Sequence, residues 1–162
     1  MKNIFTLLFI TVFLIGCASG GTNSQQATTS ENSKVDYGDY TSQTLTTKAW
    51  EALGEGQYMA AIRYTEKCAE LYAAEAREMQ ASLKVKAPYA KANDYWALND
   101  VGTGYFIKGQ ALLELGRKEE AVAAFKVLKE ELYFAQAWDP NGWFWAPADA
   151  AATKLISLTN DF

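Results

Sequence analysis

Two stretches of this chain share one pattern, and that repetition limits the fold more than any other feature. In each, an apolar helical run ends on a glycine (Gly56, Gly116). After four intervening residues comes an alanine (Ala61, Ala121), then a β-branched residue (Ile62, Val122) and more apolar helix. A glycine supplies the left-handed backbone that closes a helix, and a small alanine just beyond it lets the next helix pack close. From Thr41 onward proline occurs only at 88, 140 and 147, and alanine is frequent, which favours helix. No apolar–polar alternation bounded by turn residues announces a strand. The fold class this predicts is all-α, built on two helical hairpins.

The pattern resembles the tetratricopeptide (TPR) repeat, a helix–turn–helix unit of 34 residues. On that resemblance Gly56 and Gly116 stand at the inter-helix turn, and Ala61 and Ala121 at the small position of the second helix. Cys68 and Leu128 fall seven residues further on, where the family prefers alanine. Tyr105 and Gly109 match the first-helix aromatic and glycine in the second copy. Leu45 and Ala49 hold those places in the first copy, the weaker match. The hairpins are expected at about 42–86 and 100–133.

Their glycines lie 60 residues apart, which is neither one repeat length nor two. The surplus is assigned to a long second helix, about 57–86, because Tyr58, Ala61, Thr65, Cys68, Tyr72 and Ala76 keep helical spacing. Pro88 to about Leu98 reads as a short helix or ordered connection, with Asn99 or Asp100 as cap of the next helix. Stacked repeats ordinarily need about three units for stability. The expected architecture is therefore a short TPR-like α-solenoid of two hairpins plus capping helices.

The start of the chain carries a second signal. Lys2 is the only charge before residue 31, and an apolar run from Ile4 to Ile15 follows it, interrupted only by Thr6 and Thr11. That run is shorter than the ~20 residues a spanning helix needs and has the form of an export signal. It ends Leu14-Ile15-Gly16-Cys17, which resembles the bacterial lipoprotein lipobox. The resemblance implies cleavage between Gly16 and Cys17, removal of a 1–16 signal peptide, and acylation of Cys17, palmitate included. Two or more acyl chains anchor a protein stably to a bilayer without spanning it. In a cell with two membranes, Ala18 in place of Asp points to the periplasmic face of the outer membrane.

Residues 18–34 contain no aromatic residue and no Val, Ile or Leu, so they lack the apolar surface to offset their ordering entropy. The segment 17–40 therefore reads as lipidated cysteine plus tether, with a mean reach of roughly 25–30 Å on flexible-linker scaling. Tyr37 and Tyr40 stand where the tether meets the 41–162 domain.

Behind the second hairpin the composition changes sharply. Six of the thirteen residues from Tyr133 to Trp145 are aromatic, including three of the five tryptophans. Asp139-Pro140-Asn141-Gly142 reads as a tight turn, and Pro147 can begin a final helix, completing a 134–160 cap. Two readings stand side by side. The rings plug the open end of a short solenoid, or they form an exposed recognition surface, since Trp and Tyr dominate binding hot spots.

What the chain lacks narrows its chemistry. It has no histidine, which removes imidazole bases, triads and metal sites. The two cysteines exclude a four-cysteine zinc site, and no Gly-rich phosphate loop or metal-ligand spacing occurs. Net charge is −4, which lacks the basic footprint of a nucleic-acid binder. Cys68 reads as a small buried hydrophobe. No enzyme, metal or cofactor is expected. The expected function is a membrane-anchored periplasmic adaptor in envelope assembly, taking an envelope protein or peptide in a TPR-like groove. Candidate groove residues are Trp50, Tyr105, Phe106 and Lys108. The alternative is a lipoprotein that binds cell wall (peptidoglycan) or another glycan through Trp138, Trp143 and Trp145.

Overall fold

A computed structural model describes residues 35–159; Gly16, Cys17 and the tether through residue 34 lie outside the described residues. The chain is mostly helical, in the order α1 (Ser42–Gly54), α2 (Tyr58–Ser82), a 3-10 helix (Tyr89–Tyr95), α3 (Trp96–Glu114), α4 (Lys118–Glu130), β1 (Ala137–Asp139), β2 (Trp143–Trp145) and α5 (Pro147–Thr159).

The two glycine turns are near copies. Gly56 and Gly116 have φ of 73° and 72°. Gly56 donates its N–H to Leu53 O at 3.1 Å and Gln57 donates to Ala52 O at 2.8 Å. At the second turn Gly116 donates to Leu113 O at 2.9 Å and Arg117 to Leu112 O at 2.8 Å. This paired closure satisfies the last carbonyls of the first helix and sends the chain straight into the next one.

Each helix packs against its successor, and α1 also touches α3 as α3 touches α5. Contacts between α1 and α3 advance together, from Ser42 on Asp100 to Trp50 on Phe106, so these helices run parallel. Between α2 and α3 the order reverses, with Glu66 on Lys108 and Tyr72 on Trp96. The core sits at the centre of this stack, where Leu45, Ile62, Leu98, Ile107, Phe125 and Leu128 are buried. Helix α3 approaches its neighbours most closely at glycines. A Cβ on Gly109 would lie 2.3 Å from the Phe125 ring, and one on Gly102 2.5 Å from Ala135 Cβ.

Ordered contacts begin before Thr41. Tyr37 sets its ring edge-on to Tyr64 at 5.9 Å, and the Tyr72 hydroxyl donates to Tyr40 O at 2.9 Å. Thr41 then caps α1 by accepting the Thr44 N–H.

Several boundaries differ from the sequence reading. Helix α2 stops at Ser82 rather than near 86, because Leu83 turns extended (φ −95°, ψ 140°) and folds partly inward. Helix α3 begins at Trp96, so Asn99 and Asp100 are not caps but lie inside its first turns. The Asn99 amide donates instead to Ala92 O at 2.7 Å, pinning the 3-10 helix. Helix α4 ends at Glu130, three residues short of Tyr133.

The aromatic segment holds two antiparallel strands where none was expected, with Ala137 opposite Trp145 and Asp139 opposite Trp143. At three residues each they are too short for alternation to register in sequence. Among the described residues no helix is long and apolar enough to cross a membrane.

Candidate binding cleft

The shared face of α1 and α3 meets the β-hairpin around a cleft of about 710 Å³. Its helical walls arise from one repeated spacing. Gln43, Thr47 and Trp50 on α1, and Trp96, Asp100 and Thr103 on α3, each follow i, i+4, i+7, which stacks them on one side of a helix. The third wall is the hairpin, through Gln136, Trp138 and Phe144.

Buried amides hold that hairpin in place. Gln136 donates its N–H to Asn99 Oδ1 at 2.8 Å and its side-chain amide to Ala87 O at 3.0 Å. Phe134 donates its N–H to Gln80 Oε1 at 2.9 Å. The chain after α4 is thus tied to α2, α3 and the 83–88 connection before it turns into β1.

Five aromatic rings line the cleft, Trp50, Tyr72, Trp96, Trp138 and Phe144, and others back them. Trp50 packs on Phe106 and Trp145, with centroids at 6.3 and 6.5 Å. Trp96 meets Tyr72 edge-on at 5.5 Å. Trp138 meets Phe144 at 5.1 Å, and Tyr89 backs both. Trp50, Trp96 and Trp138 remain 38%, 39% and 52% exposed, so each offers ring surface to solvent.

Between these rings the lining is hydroxyls and amides, with one charge. Asp100 Oδ2 accepts the Ser42 hydroxyl at 2.5 Å, and Thr46 donates to Asp100 O at 3.3 Å. Burial pushes the Asp100 carboxyl above the ordinary carboxylate range, against a smaller lowering by the Ser42 hydroxyl. Among the described residues no lysine or arginine forms an ion pair with it. Cys68, behind Thr46, is pushed up by burial to about 12 and so stays a neutral thiol.

A folded-state pKa above the unfolded one means that the ionised form costs the fold stability. That cost is fully present above the raised value. It disappears as pH falls through the unfolded-chain value of about 3.9. Asp100→Asn keeps an acceptor for Ser42 and removes the charge. It is therefore expected to melt a few degrees above the parent at pH 7.5, with the gap closing toward pH 3.5. Thermal unfolding followed by circular dichroism at the two pH values checks this; a gap independent of pH would contradict it.

The sequence candidates distribute unevenly around this site. Trp50 and Trp138 line the cleft. Phe106 is buried, 8% exposed, so its part is to support Trp50 and Trp145 from beneath rather than to touch a ligand. Tyr105 and Lys108 face away, in a separate hollow of about 130 Å³ where Lys108 pairs with Glu66 at 2.8 Å. Trp145 is half-buried behind Trp50, and Trp143, 52% exposed, is not among the cleft's lining residues. Sequence reasoning misses Trp96, Asp100 and Tyr72 as cleft residues, because aligning the hairpins on Gly56 and Gly116 sets Trp50 opposite Gln110 and gives Trp96 and Asp100 no counterpart on the α1 wall. Among the described residues no group of three or more acidic or cysteine side chains is arranged to hold a metal ion.

Comparison with protein-family models, with curated proteins and with solved structures finds no match to this chain.

Proposed function

We propose that this chain is a lipid-anchored adaptor of the bacterial envelope, most simply at the periplasmic face of an outer membrane. Its TPR-like helical domain captures an envelope partner in the α1/α3/hairpin cleft. The observation that carries this reading is the cleft itself, an open site on the face shared by the first helices of two matched hairpins. The copied glycine turns and the parallel α1–α3 packing support treating the domain as two stacked repeats, with α5 packed on α4 and α3 beyond them. A holding role fits the cleft's lining of ring faces, hydroxyls and amides around one carboxylate.

An envelope protein or peptide is the occupant that the TPR resemblance implies. A glycan is the second reading, and the ring-lined cleft, with hydroxyls, amides and a single carboxylate between the rings, favours it.

Two measurements on the full chain in its host test this. Cys17→Ala is expected to abolish acyl labelling and, because the cut depends on that cysteine, to leave the 1–16 segment attached to the chain. A photo-crosslinking residue at Thr47, exposed on the cleft wall, is expected to capture an envelope component. The same residue at Val85, 72% exposed in the 83–88 connection, is expected to capture none. Equal capture at both positions, or at neither, would remove the cleft as the partner site.

A further inference from the structure

We propose that the cleft takes a short, uncharged oligosaccharide, stacked on Trp50, Trp96 and Trp138, with sugar hydroxyls donating to Asp100. The proposal rests on the reading of the cleft as the partner site and names the chemistry of its occupant.

Three observations converge. The first is the set of ring faces. Three tryptophans from three different elements, α1, α3 and β1, leave part of their surface open to one cavity while the rest is backed by other rings. Rigid aromatic platforms with a polar surround suit a ligand that has apolar C–H faces and hydroxyl edges. Peptide side chains make no such demand for several separate platforms.

The second is charge. The lining carries no lysine or arginine and a single carboxylate. An anionic ligand, including a phosphorylated one or an acidic sugar, would meet Asp100 without a compensating cation. A neutral hydroxyl-rich ligand supplies donors to that carboxylate and to the threonine and amide oxygens around it.

The third is cost. Asp100 sits where its ionised form destabilises the fold, and Ser42 answers only one of its two oxygens. Its second oxygen is left to accept from a ligand hydroxyl in the cleft. The cleft's volume, about 710 Å³, lies within the ~300–1,000 Å³ of small-ligand sites. That is room for a few sugar rings and too little for a folded domain. Cleavage is not part of the proposal, because glycoside hydrolysis ordinarily needs a second carboxylate across the bond and Asp100 is alone in the lining.

The test uses cellotetraose and chitotetraose as neutral probes and a hyaluronan tetrasaccharide as the acidic one. Each is titrated onto the mature chain from residue 17, made without the 1–16 segment so that Cys17 stays unacylated, with tryptophan fluorescence and calorimetry as readouts. At least one neutral probe is expected to bind with saturation, and the acidic probe at least tenfold more weakly. Asp100→Asn, isosteric and expected to fold, should weaken neutral binding at least tenfold, as should Trp96→Ala. Val85→Ser should leave it unchanged.

Absence of binding by every saccharide, with Thr47 crosslinks still formed to a protein, would overturn the sugar assignment and leave the cleft as a peptide site. Absence of both would remove the site altogether. Loss of sugar binding in Trp143→Ala, with Asp100→Asn unaffected, would move recognition to the outer face of the hairpin and equally overturn the proposal.

Discussion

Replacing Gly109 by alanine is expected to destabilise the domain by about 3 kcal/mol, although alanine is the better helix former by about 1 kcal/mol. The reason is local. The added Cβ would lie 2.3–2.8 Å from three carbons of the Phe125 ring, and Phe125 is itself fully buried. Neither partner can retreat into solvent, so α3 and α4 must separate or the ring must leave its rotamer. Urea unfolding should show a lowered midpoint with an unchanged slope. Phe125→Leu in the Gly109→Ala background should recover part of the loss. A coupling of about 1–2 kcal/mol in the double-mutant cycle would identify the ring as the obstacle. A Gly109→Ala chain within about 0.5 kcal/mol of the parent, the scatter of an ordinary surface substitution, would show that the two helices are not packed as described.

Asn99→Ala is expected to cost a similar amount, about 3 kcal/mol, by a different route. Its amide bridges two backbone groups, donating to Ala92 O and accepting from Gln136 N–H. All three residues are buried, so water does not readily replace what is lost. An unsatisfied buried backbone group costs about 1–3 kcal/mol, and here there are two. The structural signature should be as clear as the energy. Amide exchange should accelerate at Gln136 and through β1, while Gly56 and Gly116, in turns that Asn99 does not touch, keep their protection. Uniform loss of protection across all helices would point to general unfolding and contradict the pinning role.

The helices are legible because their signals are local. A glycine followed at five residues by alanine specifies a turn and a close packing site, and both Gly56/Ala61 and Gly116/Ala121 behave as read: the glycines take positive φ and the alanines are fully buried. The long second helix is legible in the same way, from sustained spacing. Its end at Ser82 is not, because Leu83 is drawn out of the helix by tertiary packing that no local residue announces. The β-hairpin escapes for a related reason. Its turn is visible in Asp139-Pro140-Asn141-Gly142, but the segment leading into its strands is held from outside, by the side chains of Gln80 and Asn99 and the Ala87 carbonyl.

The cleft is half legible. Trp50 and Trp138 stand out in sequence because tryptophan is conspicuous, yet sequence alone puts them on separate surfaces, one for protein and one for glycan. The fold brings them to the same cavity. Tyr105 stands out as a matched position and Lys108 as the neighbour of one, Gly109, and helical geometry turns both to another side. Phe106 illustrates the limit of reading exposure from residue type, since a ring at that position can serve as floor or as wall. Asp100 draws attention only as a cap. Its meaning depends on Ser42, fifty-eight residues away in sequence, and no local pattern contains that pairing.

The β-hairpin packs over the face shared by α1 and α3 and forms one side of the cavity. A change that loosens Trp138 or Gln136 therefore alters durability and selectivity together, and mutational drift has little freedom to adjust one while sparing the other. Conversely, any molecule that settles against Trp138 and the helical walls braces the hairpin against α1 and α3. An occupied protein should for that reason resist heat and proteases better than an empty one, giving a cell a simple means of retaining the copies that have found their target.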